Sequence, residues 1–289
     1  MRRLLCLGGL LCLVIALAWR FGAMPFFFDP SSTPTPGDGR VASGVYTNPY
    51  FDLALPLPPG WTEGEAGPPP SQSGYYVLGT LVPKGEFTGT ILIAAQDVFF
   101  ASKSLADATA MTQDFRDGMA AVDGMTIDRD ISEFTIAGRL LHRVDFSGVG
   151  LHRAMLAADI RCHVVSFHLT TSDPQQLDEL AQSLNRLSFA GGKSARAAPL
   201  CIKDYAVAEN VLRRVEPALA GPAVGPVPVR VVIGTDGGVK HVHVIRASDE
   251  KRKAIEAALQ QWRFRPHQVN GRAVEVETGL SFAVTLAQR

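Results

Sequence analysis

Val227-Pro228-Val229-Arg230-Val231-Val232-Ile233, then Gly234-Thr235-Asp236-Gly237-Gly238, then Val239-Lys240-His241-Val242-His243-Val244-Ile245 is the stretch that decides the fold of the C-terminal part of the chain. Two β-branched runs flanking Asp236-Gly237-Gly238 read as a hairpin, because glycine supplies the backbone conformations a tight turn needs. Further along, Ser248 caps a helix with Asp249 and Glu250 in its first turn, where carboxylates meet the positive end of the helix dipole. Ile255, Ala258, Leu259 and Trp262 recur at helical spacing and form the face that buries against the strands. Asn270-Gly271 marks another tight turn. After it Val274, Val276, Leu280, Phe282 and Val284 alternate with Glu275, Glu277, Ser281 and Thr285, a strand with one buried and one wet face.

Toward the N-terminus, the weak stretch 190–199, with Gly191, Gly192 and several alanines, divides the folded chain into modules at 45–189 and 200–289. In the first module Phe51, Leu53 and Leu55 alternate with polar or small neighbours and end in a proline turn before Trp61. Strands are expected at 75–81, 90–97, 132–136, 140–146, 152–158 and 160–170, with a tight turn at Ala137-Gly138 and a helix over 105–119. Ser172 is placed to cap a last helix, Pro174 suits its first turn, and Leu177, Leu180, Ala181, Leu184 and Leu187 form one apolar stripe to lie on the sheet. Antiparallel sheets carrying helices make both modules α+β.

The chain opens Met1-Arg2-Arg3 and continues as an apolar run to Trp19, which is the pattern of an export segment over 1–28. Ala16 and Ala18 have the spacing a signal peptidase accepts, whereas Phe21 and Phe26 to Phe28 extend the apolar character as an anchor would. Cleaved leader and membrane anchor both stand as readings. Residues 29–44, mostly Pro, Ser, Thr and Gly, are expected to form a flexible tether. Cys6 and Cys12 lie inside the leader without the small preceding residue of a lipoprotein site. Cys162 and Cys201 remain, and in an oxidising compartment they can pair, closing a loop worth roughly 4 kcal/mol in the chain-entropy model. A buried thiol and a linker thiol are the alternative.

A formal net charge of zero and the lack of any run of five or six like charges argue against nucleic acid as a partner. His241 and His243 share a strand face, but two imidazoles do not make a metal site, and His163 and His168 fall on opposite faces of another strand. There is no Gly-x-Ser-x-Gly elbow, phosphate loop or dinucleotide fingerprint, so no catalytic residue, cofactor or metal ligand is assigned and the chain is not expected to be an enzyme.

The opening Tyr46, Asn48, Phe51, Leu53, Pro56, Pro58, Gly60, Trp61 is similar to the start of the PsbP-like family, a fold that implies no particular task. The Val-rich strand before Asp236-Gly237-Gly238-Val239, the helix ending Trp262-Arg263-Phe264-Arg265-Pro266, and Asn270-Gly271 before Val274 resemble the C-terminal domain of TonB-type energy transducers. That resemblance covers 200–289. It implies a periplasmic module that captures an extended peptide of an envelope or outer-membrane protein at a sheet edge. The residues it points to are Val274, Val276, Thr278, Leu280 and Phe282 of the last strand, although Glu275 and Glu277 would serve equally to blunt that edge.

Three departures separate the chain from a transducer. The leader lacks His and Ser in its apolar run, a long Pro-rich rod is missing, and the stretch Val215-Glu216-Pro217 lacks the family's Tyr-Pro. Docking by protein contact is therefore the first reading, with membrane contact through the N-terminal segment if it stays uncleaved. Energy transduction for outer-membrane transport and an exported enzyme with a site in the first module are the alternatives.

Overall fold

The computed structural model describes residues 34–85, 88–189, 198–219 and 225–283, so the leader and most of the 190–199 linker lie outside the described residues. Among the described residues no helix is long and apolar enough to cross a membrane. The class is α+β.

The first module holds strands β1 (Arg40–Ala42), β2 (Val45–Asn48), β3 (Leu53–Pro56), β4 (Trp61–Glu63), β5 (Tyr75–Pro83) and β6 (Gly89–Asp97), then helix α1 (Ala108–Ala120). It continues with β7 (Thr126–Ile136), β8 (Arg139–Gly148), β9 (Leu151–Ile160), β10 (His163–Thr171), helix α2 (Pro174–Ser183) and β11 (Ser188–Phe189). An antiparallel sheet of seven strands, ordered β4-β5-β6-β10-β9-β8-β7, faces a smaller one, β1-β2-β3-β11. Leu55, Leu81, Ile91, Ile93, Leu156 and Phe167 fill the space between them together with the α2 stripe Leu177, Leu180, Ala181, Leu184 and Leu187, all buried. Val164 and Val165 point to opposite faces, and on the far face Val164, Met155 and Val144 take Ala108 and Met111 of α1.

Three local expectations are corrected. The tether is strand at its end: β1 pairs with β2, the Asn48 side-chain amide donates to the Pro36 carbonyl, and Gly39 lies so close to the Tyr46 hydroxyl that a side chain there would collide. The α2 cap is Asp173, whose carboxylate accepts from the Gln175 amide at 2.9 Å, while Ser172 pairs with Thr88. The strand expected over 160–170 starts at His163, because Arg161 and Cys162 have positive φ values of 49° and 60° and form the β9–β10 turn.

The second module follows the expected hairpin. It contains β12 (Leu200–Cys201), β13 (Val211–Arg213), β14 (Val227–Ile233), β15 (Val239–Val244), helix α3 (Asp249–Leu259), β16 (Arg263–Phe264), β17 (His267–Val269), β18 (Arg272–Val274) and β19 (Val276–Phe282). The main sheet runs β12-β19-β14-β15. Gly237 has φ 79° and packs against the Phe264 carbonyl, a position only glycine fits. Ser248 caps α3 by accepting from the Lys251 amide, and Ile255, Leu259 and Trp262 bury with Val229, Val231, Val276 and Phe282. The Trp262 indole donates to the Val215 carbonyl at 2.8 Å, which fixes the chain that precedes β14.

Candidate functional site

The expected last strand is two elements. Val274 belongs to β18, paired with His267 around the Asn270-Gly271 turn, and β19 begins only at Val276. Val276, Thr278 and Phe282 are buried and Leu280 is half-buried, all on the face that meets α3. These side chains make the core of the module, so any partner contact at β19 falls to its backbone.

That backbone is part covered and part open. On one side β19 pairs antiparallel with β14 along its whole length. On the other, the Leu200 amide donates to the Glu275 carbonyl at 2.8 Å and the Ile202 amide to the Glu277 carbonyl at 3.0 Å, placing β12 parallel to β19. By the alternation of a strand, the outward-facing peptide groups are then those of residues 275, 277, 279 and 281. The Thr278 hydroxyl donates to the Lys203 carbonyl and accepts from the Tyr205 amide, and there the preceding chain turns away. Beyond it opens a cavity of about 260 Å³ beside Gly279, Leu280, Ser281 and Phe282. Lys203, Val207, Arg214 and Trp262 line its other walls, with the Arg214 guanidinium 5.2 Å from the Trp262 ring.

The face of this sheet away from α3, expected to be wet, is buried against the first module. Arg230, in the middle of β14, is 2% exposed. It donates to Asp97 at the end of β6 (2.6 Å), to Glu277 of β19 (2.7 Å) and to Nε2 of His163 (3.2 Å), and its guanidinium lies 4.9 Å from the Phe99 ring. Nδ1 of His163 is 2.8 Å from the Arg161 carbonyl and donates to it, which leaves Nε2 free to accept from Arg230. Burial holds His163 well below the usual histidine range and Arg230 adds to the effect. His243, bonded to the Tyr76 hydroxyl at 3.3 Å, is pushed down to about 4 by burial and then by Arg230. Burial works against the charge on Arg230, but Asp97 and the other acidic neighbours outweigh it and raise its hold on the proton. Glu277 is therefore an inward anchor for Arg230 and not a guard of the edge. Ile245 enters the core of the first module, and Arg246 reaches the Pro70 carbonyl.

Cys162 and Cys201 are joined by a disulfide with a Cα–Cα distance of 5.7 Å, which ties the β9–β10 turn to β12. Gly279 lies where the modules pack tightly: a Cβ there would fall 2.6 Å from the Phe99 Cβ and 3.0 Å from the Phe100 ring. Gly279→Ala is accordingly expected to cost about 1 to 3 kcal/mol in denaturant unfolding, as overpacking does where neither neighbour can yield. Of the histidines weighed as metal ligands, His163 and His243 both join this interface. Among the described residues no group of three or more His, Cys, Asp or Glu is arranged to hold a metal ion. Sequence reasoning passed over Asp97 and Arg230, and the signal available was a lone arginine inside a valine-rich strand.

Residues 218–284 match the family described as Gram-negative bacterial TonB protein C-terminal. No curated protein matches the chain. Among solved structures, the TonB C-terminal domain of Pseudomonas aeruginosa is 23% identical over 27% of this chain and 87% of its own, with a TM-score of 0.24. Cyanobacterial PsbP from Synechocystis sp. PCC 6803 is 13% identical over 55% of this chain and 99% of its own, with a TM-score of 0.38. LpqN of Mycobacterium tuberculosis, described as involved in cell envelope biogenesis, is 16% identical over 47% and 82%, with a TM-score of 0.32. At these scores the structural likenesses carry no argument about activity. Residues 218–284 are thus a TonB C-terminal-type module, borne on a chain whose greater part the family model leaves unmatched.

Proposed function

We propose that this is a non-catalytic protein of the periplasm whose TonB-type module takes up an extended peptide of an envelope partner by strand addition at β19. The observation that supports it most is the half-open edge. Among the described residues, the peptide groups of Gly279 and Ser281 face a cavity of about 260 Å³ and no neighbouring strand. An added strand gains main-chain hydrogen bonds there, and Val207 and Trp262 offer it apolar walls with Lys203 and Arg214 at the rim.

The polar face, which in an open module would be free, is occupied by the first module through Arg230, His243 and Ile245. That arrangement favours docking over force transmission by a free-swinging domain. Ser281→Pro tests the reading, since proline removes one outward N–H from an exposed edge residue and leaves the β14 ladder intact. Pull-down from envelope extract with the full chain is expected to lose its specific partner by at least tenfold with this variant. Equal recovery of that partner by both proteins would rule the edge out.

A further inference from the structure

We propose that residues 200–202 are an occupant of the β19 edge supplied by the chain itself, clamped there by the Cys162–Cys201 disulfide, and that reduction of this bond releases them and lengthens the edge offered to a partner. The proposal rests on the strand-addition reading and concerns its regulation. β12 covers the outward peptide groups of Glu275 and Glu277, the same row that, among the described residues, continues unpaired at Gly279 and Ser281. Both of its residues are exposed, with Leu200 at 44%, and of residues 200–202 only Ile202 packs in part against the core of the module, so little apolar burial holds the segment down. Two residues and a pair of edge hydrogen bonds make a marginal strand. What keeps it in place is the bond from Cys201 to Cys162 in the β9–β10 turn of the first module.

Cys162 is buried and Cys201 lies in exposed strand, so the reachable sulfur is that of Cys201. A thiolate of a dithiol reductant attacks Cys201 Sγ, the disulfide breaks, and Cys162 leaves as thiolate and takes up a proton. The second thiol of the reductant then displaces Cys201, so two electrons and two protons pass to the protein and the dithiol ends as its own disulfide.

Hydrogen exchange by mass spectrometry on the full chain tests this in three states: oxidised, treated with dithiothreitol, and as the Cys162→Ser/Cys201→Ser variant. Exchange in 198–203 is expected to rise at least tenfold in the second and third states, while β14 and β10 keep their protection. Unchanged exchange in 198–203 overturns the gate and leaves strand addition standing. Loss of protection throughout β14 and β10 overturns it as well, because the bridge then holds the fold and not the edge. A fluorescent peptide copying residues 198–204 with Cys201→Ser is the second probe, and it should bind the double-serine chain at least tenfold tighter than the oxidised chain. Faster exchange without capture of this peptide overturns strand addition, and the gate falls with it.

Discussion

Arg230→Met is expected to destabilise the protein by about 3 to 5 kcal/mol, the usual cost of removing one partner from a buried ion pair. Its side chain is 3% exposed and those of Asp97 and Glu277 are 0% and 12% exposed, so water cannot replace the lost guanidinium. The damage comes from the stranded carboxylates. Arg230→Met combined with Asp97→Asn and Glu277→Gln should therefore be less destabilised than Arg230→Met alone, since the uncompensated charge is gone. Urea unfolding of the three proteins, parent, single and triple variant, checks this, and a triple variant weaker than the single one would show that hydrogen-bond geometry outweighs charge in this cluster.

Acidification is expected to weaken the fold well above the carboxylate range. His163 lies far below the ordinary histidine value, and His168 and His243 are each pushed down to about 4, all three chiefly by burial. Because the folded state then binds protons less readily than the unfolded chain, stability is full above pH 6.5 and falls as pH drops toward 4. Each histidine costs the fold about 2 kcal/mol between pH 7 and pH 5, roughly 6 kcal/mol for the three together. Asp97 and Asp159, raised by burial, work in the opposite sense, but only once pH nears the carboxylate range. Thermal unfolding from pH 7.5 to 5 should show a steep fall in Tm, and His243→Gln should reduce the slope by about a third. A flat profile over that range would mean that these imidazoles are solvated.

The elements legible in the sequence are those whose signal is local. The β14–β15 hairpin announces itself by Asp236-Gly237-Gly238, α3 by Ser248 and its stripe, and α2 by Leu177 to Leu187. What escaped depends on distant partners. Alternation along β19 separates two faces without saying what lies on the polar one, so Glu277 read as wet, whereas Glu277, like His243 of β15, meets the first module. The same alternation runs unbroken through Glu275, which hid the boundary between β18 and β19. Two residues have no period at all, so nothing in Leu200-Cys201 could announce β12. Ser172 and Asp173 are both good caps, and which one serves was decided by Thr88 drawing the serine away.

The disulfide also changes how the chain would carry tension. A pull from the N-terminal end reaches Cys162 and passes through the sulfur bridge directly to Cys201, so residues 163–200 hang as a slack loop outside the load path. That loop contains β10, the central strand of the seven-stranded sheet, and α2 that packs on it. Stretching the oxidised molecule therefore cannot draw out the middle of its largest sheet by that route, and severing the bridge is what would put this segment under strain.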